Sequence, residues 1–174
     1  MYKLQALSRF IMNSSPNLRE EYGQAMRYFP SALHIVTTQG AAGKRGLTIS
    51  ACCSLSYAPP TLLICLSKAK QGNKIFLENK VFCVNTLCEN DKELATIFGT
   101  RSQEERFAAA EWATLVTGAP VLKNSYISFD CRLSTYYEHV THYALIGEVM
   151  AVQSFDDSCK PRPLVYHEKT YNII

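Results

Sequence analysis

The sequence lacks the long apolar runs that mark membrane proteins and secreted precursors. No uninterrupted apolar stretch approaches the roughly 18 residues that a membrane-spanning helix requires. Residues 1–17 also lack the continuous apolar segment of a signal peptide. We therefore expect no membrane partner, and we expect residues 1–16 to form an N-terminal arm that docks against the domain or a neighbouring copy.

A strong charge of one sign is also missing. The chain has 18 Lys and Arg against 15 Asp and Glu, which gives a formal net charge of +3. The basic residues are dispersed and never form a run of five, so the sequence predicts no nucleic-acid partner. A mildly basic surface still favours anionic small molecules such as dinucleotides.

Paired cysteine motifs are absent, although the chain contains seven cysteines. The number is odd, no C-x-x-C spacing occurs, and five of the seven lie within apolar, strand-like runs. This pattern is typical of reduced, buried thiols in a cytosolic protein. We expect a cytoplasmic location, no disulfide framework and no metal site.

Several motifs for nucleophiles and nucleotides are missing as well. The sequence contains neither a G-x-S-x-G elbow nor a Walker A loop, and Gly40, Gly43 and Gly46 precede a strand instead of a helix, which excludes a dinucleotide fingerprint. His139 and His142 would point to opposite faces of a strand, so the spacing does not favour a shared metal.

What is present is an extended stretch in which hydroxyl side chains alternate with apolar ones. From residue 47 to residue 56, Leu47, Ile49, Ala51, Cys53 and Leu55 alternate with Thr48, Ser50, Cys52, Ser54 and Ser56. Alternate residues of a strand share a face, so the stretch predicts a single strand, about 26 Å long between residues 48 and 56, with one apolar and one hydroxyl-lined face. Hydroxyl groups suit phosphate, ribityl and ring carbonyl oxygens. The alternative reading is a half-exposed strand whose outer face happens to be rich in Ser and Thr.

The rest of the chain predicts an antiparallel β-barrel with peripheral helices in a single domain, residues 1–174. Strands are expected at 33–39, 61–67, 81–87, 127–134 and 142–153, with a short strand and tail at 163–174 and a bulge or close approach at Gly147. Helices are expected from Leu18 to Phe29 and from Asn90 to Gly99, while residues 100–120 should be mostly loop with one turn of helix at EERFAA (104–109). The link between 134 and 142 is too short for a parallel crossover, which favours antiparallel pairing.

A polar segment after the second of these strands offers a candidate anion site. Lys68 and Lys70 follow the buried strand and precede a helix start, where charge and backbone N–H groups can hold a phosphate, and Asn73 could reach the same anion. The alternative is two solvated lysines in a loop.

Taken together and in order, the motifs of the chain resemble those of the flavin reductase family. The resembling segments are IVTTQG (35–40), GLTISACCSLSYAPPTLLIC (46–65), FCVNTL (82–87), EERF (104–107), GAPVL (118–122), SFDCRL (128–133), THYALIGEV (141–149) and PLVYHEKTY (163–171). The resemblance implies a mainly β fold with peripheral helices, the split antiparallel β-barrel of FMN-binding type. It also implies a homodimer with flavin near the subunit interface.

The resemblance further implies which residues form the site. Flavin would be lined by Thr48, Ile49, Ser50, Ser54, Leu55 and Ser56, with Lys68, Ala69 and Lys70 near its phosphates. His142 would lie near the nicotinamide, and Tyr171 matches the aromatic residue of a C-terminal motif. Gly46 and the Lys44-Arg45 turn match the loop near the dinucleotide. The chain departs from the family where an acidic residue usually precedes the histidine, because Thr141 stands there.

The resemblance implies an NAD(P)H:flavin oxidoreductase that transfers a hydride from NADH or NADPH to FMN or FAD. Reduced flavin would be supplied to the oxygenase component of a two-component monooxygenase acting on an aromatic, phenolic substrate. One alternative is a flavoprotein that keeps FMN tightly bound and reduces another acceptor. The other alternative is a flavin-binding module without enzymatic activity.

Overall fold

The computed structural model describes residues 17–155 and 161–174. The predicted N-terminal arm, residues 1–16, and Cys159 lie outside the described residues. Within that part of the chain the helices are α1 (Leu18–Ala25), α2 (Ile75–Asn79), α3 (Lys92–Thr100) and α4 (Gln103–Ala108), with 3-10 turns at Met26–Tyr28, Gln71–Lys74 and Glu89–Asp91. Among the residues described, no helix has the length and apolar character needed to cross a bilayer.

Antiparallel strands make up most of the fold, which confirms the mainly β prediction. In chain order they are β1 (Ser31–Ala32), β2 (His34–Gly40), β3 (Gly43–Ile49), β4 (Cys52–Tyr57), β5 (Pro60–Ser67), β6 (Val81–Thr86), β7 (Trp112–Thr114), β8 (Pro120–Leu122), β9 (Ile127–Glu138), β10 (His142–Ser154), β11 (Leu164–His167) and β12 (Thr170–Ile173).

The main sheet is a split barrel of seven strands in the order β3-β2-β6-β9-β10-β5-β4. Leu47 and Ile49 from one edge strand pack in the same buried cluster as Leu62 and Ile64 from the opposite side of the sheet. The sheet therefore curls around a shared core. Its edge strands β3 and β4 follow each other in the chain but are not paired with each other in the described sheet.

The helices α3 and α4 cover the outer face of β2 and β3. Phe98 of α3, Phe107 of α4 and Trp112 of β7 form an aromatic cluster with ring centroids 5.1–5.7 Å apart. A capping box begins α4, because Ser102 Oγ accepts from the Glu105 amide and the Glu105 carboxylate accepts from the Ser102 amide. This packing fixes α4 against the beginning of β3.

Two segments carry more regular structure than the sequence predicts. In residues 100–120 the helical turn predicted at EERFAA is confirmed as α4, and the predicted loop also contains the strand β7, which pairs with β8. The C-terminal segment forms the hairpin β11–β12 instead of one strand and a tail, and β1 pairs with β11. At Gly147 the predicted irregularity is confirmed by a register shift between β9 and β10, and an added Cβ there would lie 2.3 Å from Phe82 Cζ.

Candidate functional site

The hydroxyl-rich stretch is two strands, not one. β3 ends at Ile49 and β4 begins at Cys52, so Ser50 and Ala51 link the two edges of the sheet. Ile49 is buried, whereas Ala51 and Cys53, which the alternation assigned to the same face, are exposed. The prediction of one strand with a uniform hydroxyl face is therefore wrong, because the two-residue link breaks the alternation.

An apolar recess of about 530 Å³ lies beside this link, and we call it the edge recess. Its lining consists of Met26, residues 29–32, residues 50–53, Leu63 and Cys65. Ser31 and Ser50 contribute the side-chain hydroxyls, and the rest of the lining is apolar or thiol. A recess of this size and character is typical of a small-molecule site.

The floor of the edge recess is the outer face of β4 and β5. Cys53 lies opposite Leu63 in the register, and Cys65 follows two residues later on the same face of β5. Sequence analysis predicted a fully buried β5, but only Leu62, Ile64 and Leu66 are buried, and Leu63 and Cys65 remain half-exposed. That prediction is wrong because β5 has one face in the core and the other in the recess.

Two cysteines of the recess, Cys52 and Cys65, are not activated as nucleophiles. Burial raises the pKa of the Cys52 thiol to about 12, and the neighbouring thiols Cys53 and Cys65 add to the shift. Burial also raises the pKa of Cys65, with a smaller contribution from Cys53. Thiols with raised pKa values stay protonated near neutral pH, so this recess favours binding over covalent catalysis.

His142 lies on the same sheet face, close to the recess. It begins β10 directly opposite Ser67 of β5, two residues beyond Cys65, which corresponds to about 7 Å along the strand. Its side chain is exposed, and Nδ1 is 2.8 Å from the hydroxyl of Thr141. The Thr141 hydroxyl stands where the resemblance places an acidic residue. The other ring nitrogen, Nε2, points away from Thr141.

The edge strand β4 presents its own predicted residues to the surface. Ser54 and Leu55 are exposed and Ser56 is half-exposed, and a register shift between Ser54 and Ser56 interrupts the pairing with β5. Their side chains make no hydrogen bonds within the described residues, so they remain accessible to a ligand or a second chain. Tyr57, which follows, is 96% exposed.

The predicted residues of β3 are less accessible than those of β4. The Thr48 hydroxyl donates to the carbonyl oxygen of Ala95 in α3 at 2.7 Å, and the Ile49 side chain packs in the barrel core. Ile49 can therefore offer only its backbone to a ligand. Ser50 is half-exposed and opens into the edge recess.

The loop from Ser67 to Asn73 closes one end of the barrel. Lys68 forms an ion pair with Glu138 at 3.0 Å, whereas Ala69 and Lys70 are exposed. The Asn73 side chain is fully buried, donates to the Ser67 carbonyl oxygen at 2.8 Å and accepts from Arg45 Nε at 2.8 Å. Its predicted contact with an anion is untested, and in this arrangement Asn73 instead holds Arg45.

Side chains of α4 form hydrogen bonds with both the N–H and the C=O group of Gly46. Its amide donates to Gln103 Oε1 at 2.8 Å, and its carbonyl oxygen accepts from Gln103 Nε2 at 3.2 Å and from Arg106 Nη1 at 2.7 Å. An added Cβ on Gly46 would lie 2.6 Å from Phe98 Cε1. Sequence reasoning missed Gln103 and Arg106, although the EERF segment was a signal that pointed to this region.

Tyr171 lies apart from the other predicted residues. It packs against Tyr166 with ring centroids 6.1 Å apart, and it lines a separate surface cavity with Lys92, Lys169 and Thr170. None of the residues that line this cavity also lines the edge recess. By the strand register, His142 and Ser56 share the outer face of the sheet with Cys65, whereas Ser54 lies opposite the buried Leu62 and Tyr171 lies elsewhere.

A second cavity of about 530 Å³ does not suit an anionic nucleotide. Asp91, Glu93 and Glu111 are among its lining residues, together with Asn90 and apolar side chains of α3. Carboxylates repel phosphate, so the edge recess, which has no acidic lining residue, is the better match to a flavin. One observation fits such a ligand: the recess is apolar enough for a planar ring.

Comparisons with known proteins agree with this geometry. The family model described as "Flavin reductase like domain" matches residues 26–174. The chain is 42% identical over 160 residues to FMN reductase (NADH) RutF from Stutzerimonas stutzeri, which covers 91% of this chain and 90% of that protein.

Two solved structures extend the comparison to the fold. The flavin reductase HpaC complexed with NADP+ superposes with a TM-score of 0.81 at 29% identity, covering 90% of this chain and 97% of that one. Nitrilotriacetate monooxygenase component B from Mycobacterium thermoresistibile gives a TM-score of 0.83 at 26% identity, with 90% and 86% covered. The chain therefore belongs to the family of proteins with a flavin reductase like domain.

Proposed function

We propose that this protein is an NADH-dependent flavin reductase that acts on FMN. The observation that carries the proposal is the match of the family model over residues 26–174, and relatives named FMN reductase (NADH) share up to 42% identity with this chain. The enzyme is an oxidoreductase, and its predicted substrates, a flavin and a nicotinamide dinucleotide, agree with these relatives. Their names favour FMN over FAD and NADH over NADPH.

The residues of the edge recess would hold the flavin ring. Leu63, Cys65 and Met26 provide an apolar surface, and the hydroxyls of Ser31 and Ser50 lie at its margin. Ser54, Leu55 and Ser56 lie on the adjoining strand β4, exposed or half-exposed. Apolar walls around a few hydroxyls exclude water from one side of a ligand and orient its polar edge.

His142 would position the nicotinamide beside the flavin. When bound, the flavin supplies the hydride-accepting ring, and the protein supplies orientation. His142 is exposed two residues beyond Cys65 on the same sheet face, and its contact with Thr141 restrains the imidazole. A second ligand lying over the recess would come within reach of this side chain.

We also propose that the active form is a homodimer. Large apolar side chains are exposed on α1, on the turn that follows it and on β4, as an unpaired surface would require. They are Leu18 (55% exposed), Tyr22 (64%), Met26 (43%), Phe29 (62%), Leu55 (51%) and Tyr57 (96%). Because Met26 and Phe29 also line the edge recess, a second copy on this surface would complete the walls of the flavin site.

The reduced flavin is proposed to serve the oxygenase component of a two-component monooxygenase. The likeness to a protein named monooxygenase component B supports this role. Neutral hydroxyl and apolar contacts around the ring bind a ligand less tightly than charged side chains would. Weaker binding allows the reduced flavin to leave the site. A phenolic substrate for that oxygenase and a cytoplasmic location stay predictions from the sequence.

The function is tested by anaerobic titration of the purified protein with NADH and NADPH, each in the presence of FMN and of FAD. We expect bleaching of the flavin absorption band with NADH and FMN as the preferred pair. Because flavin is proposed to be a diffusible substrate, it should separate from the protein during gel filtration. A yellow cofactor retained through the column would favour the tightly bound flavoprotein, and absence of bleaching would contradict the proposed function.

A further inference from the structure

A groove of about 530 Å³ lies between α3 and the segment that follows α4, and we call it the α3 groove. It is the cavity whose carboxylates make it unsuitable for a nucleotide. Its floor is aliphatic, because Leu94, Ile97 and Ala110 are half-buried and pack on the core cluster that contains Leu122. Partly exposed aliphatic side chains over a core still have apolar surface to bury. The α3 groove therefore suits an occupant with apolar groups.

The rim of the α3 groove is acidic, and its charges are only partly paired. Glu111 forms an ion pair with Lys123 at 3.0 Å, and Asp91 Oδ2 accepts a hydrogen bond from the Cys88 amide at 2.8 Å. Over residues 17–155 and 161–174, neither Asp91 nor Glu93 has a cationic partner within 4.0 Å. Carboxylates without cations beside an apolar floor favour an occupant that combines positive charge with apolar side chains.

Residues 1–16 of the same chain have this composition. They include Lys3 and Arg9 but no Asp or Glu. Their aliphatic and aromatic side chains recur at the spacing of one helical stripe. The residues of this stripe are Leu4, Leu7, Phe10 and Ile11. Both the charge and the apolar content of this segment therefore complement the α3 groove.

The first described elements lie near the start of α3. The 3-10 turn after α1 contacts the turn between β11 and β12, where the Arg27 carbonyl oxygen accepts from the Glu168 amide at 2.7 Å. Lys169 of that turn lines one cavity together with Lys92, the first residue of α3. Sixteen residues span about 24 Å as a helix and about 50 Å when extended. A segment that joins the chain at Asn17 therefore has the length to reach the α3 groove of its own chain.

We propose that residues 1–16 dock in the α3 groove of the same chain. The apolar stripe covers Leu94 and Ile97, and a basic residue of the segment lies beside Glu93. The edge recess then stays free for flavin, because none of its lining residues also lines the α3 groove. The proposal specifies which surface receives the arm that the sequence predicts, and it does not depend on the reductase activity.

Photo-cross-linking in the full chain locates the segment directly. Benzoylphenylalanine replaces Phe10, the protein is irradiated, and the cross-linked sites are mapped by mass spectrometry. We expect cross-links within one chain to α3 around Leu94 and Ile97 and to residues 109–111. Cross-links to Leu63 or Cys53 in the edge recess would overturn the proposal, and so would cross-links formed only between two chains.

A matched pair of substitutions at the end of α4 tests whether the groove itself is occupied. Ala108 and Ala109 are both exposed, but only Ala109 lines the α3 groove. Ala109→Trp should fill the groove and abolish the cross-links to α3, whereas Ala108→Trp should preserve them. Circular dichroism verifies that both variants are folded. Equal cross-linking in the two variants would contradict docking in the groove.

A charge substitution tests the acidic rim. Glu93→Lys should lower the yield of cross-linked chain about two- to fivefold, the effect of losing one partly exposed ion pair. Glu78→Lys, at an exposed carboxylate of α2 outside the groove, is the control. Exchange of charges, with Glu93→Lys combined with Lys3→Glu or with Arg9→Glu, should restore the yield in one of the two pairs. Equal yields for Glu93→Lys and Glu78→Lys would exclude the charge complementarity on which the proposal rests.

Hydrogen exchange gives a second measurement that needs no cross-linker. Leu7→Asp disrupts the apolar stripe in the full chain, and Ser8→Asp adds the same charge at a neighbouring position outside the stripe. Amides of residues 92–98 should exchange severalfold faster in Leu7→Asp than in Ser8→Asp. Equal exchange in the two variants, together with the absence of cross-links to α3, would overturn the proposal.

Discussion

The two ends of the strand pair β3 and β4 differ in how completely their groups are satisfied. At the start of β3, Gly46 is bonded through both its N–H and its C=O to α4, and Arg45 is fixed by a buried asparagine. Along β4, Ser54 and Leu55 are exposed and have no partner among the described side chains. The first region is hydrogen-bonded within one chain except at the buried Arg106 Nε, whereas the side chains of the second region have no hydrogen-bond partner among the described residues.

This contrast shows where rigidity and where adaptability are built into the site. Hydrogen bonds between residues about 60 positions apart fix the basic end, so its donors are preorganised before any ligand arrives. The β4 edge and the edge recess have apolar surface without a cover, which costs free energy in a lone chain. We therefore expect substitutions in β4 to affect dimer assembly and substitutions near β3 to affect the stability of the folded chain.

The largest effect is expected from a charge on the β4 edge. Leu55→Asp would bury an unpaired carboxylate in the proposed dimer interface and should weaken dimerisation by roughly a thousandfold, about 4 kcal/mol. Sedimentation velocity would show the monomer, and NADH:FMN turnover would fall with it. Val116→Asp, at a position that is 64% exposed and lies outside β4, is the matched control. Unchanged sedimentation of Leu55→Asp would exclude β4 from the interface.

The next largest effect is a loss of stability at low pH, and it should come from a buried histidine in the packed part of the molecule. His34 of β2 is buried beside the Thr86 hydroxyl, and burial lowers its pKa from 6.5 to about 4. Because the unfolded chain takes up this proton below about pH 6.5 and the folded chain does not, the stabilisation is complete above pH 6.5 and is lost towards pH 4. The loss should reach about 3 kcal/mol.

Thermal unfolding at a series of pH values measures this dependence. The comparison of the wild type with His34→Asn isolates the histidine, and the variant should lose less stability between pH 6.5 and pH 4. Parallel curves for both proteins would contradict the buried, neutral histidine.

A pair of glycine substitutions compares packed and open positions directly. Gly46→Ala would place a methyl group against Phe98 and Phe107, and overpacking of this kind should cost about 2 kcal/mol. Gly23→Ala, in the exposed helix α1 with no atom within 4 Å, should gain about 0.5–1 kcal/mol from helix propensity. Urea unfolding gives both values, and equal effects of the two substitutions would argue against the clamp at Gly46.

The smallest loss is expected at the exposed histidine beside the recess. His142→Ala should raise the KM for NADH about tenfold and leave FMN affinity nearly unchanged, because the side chain would touch the nicotinamide and not the flavin. Stopped-flow reduction of bound FMN measures the NADH dependence, and fluorescence quenching measures the FMN affinity. A rate and an NADH dependence equal to those of the wild type would remove His142 from the site.

The local periodicity of the sequence predicts most strands but not how they meet. Leu62, Ile64 and Leu66 follow the alternation of a buried face, and Gly147 was recognisable as a point of close approach. The break at Ser50 and Ala51 was not predictable from alternation, because the same pattern continues through a link that joins opposite sheet edges. Local signals carry no information about which strand becomes an edge.

The residues of the candidate site likewise fall into those that the sequence predicted and those that it did not. Ser54, Ser56 and His142 were identified by pattern and resemblance, and the structure leaves them accessible on or beside β4 and β10. Arg106 and Gln103 were missed because their partners lie about 60 residues earlier in the chain, at Gly46.

The most direct test is a crystal structure of the protein with FMN. The account predicts the flavin ring in the edge recess against Leu63 and Cys65, with a second copy of the chain covering Met26 and Phe29. A flavin bound elsewhere on the surface, or a recess filled by protein side chains with Ser54 and Ser56 facing bulk water, would contradict it.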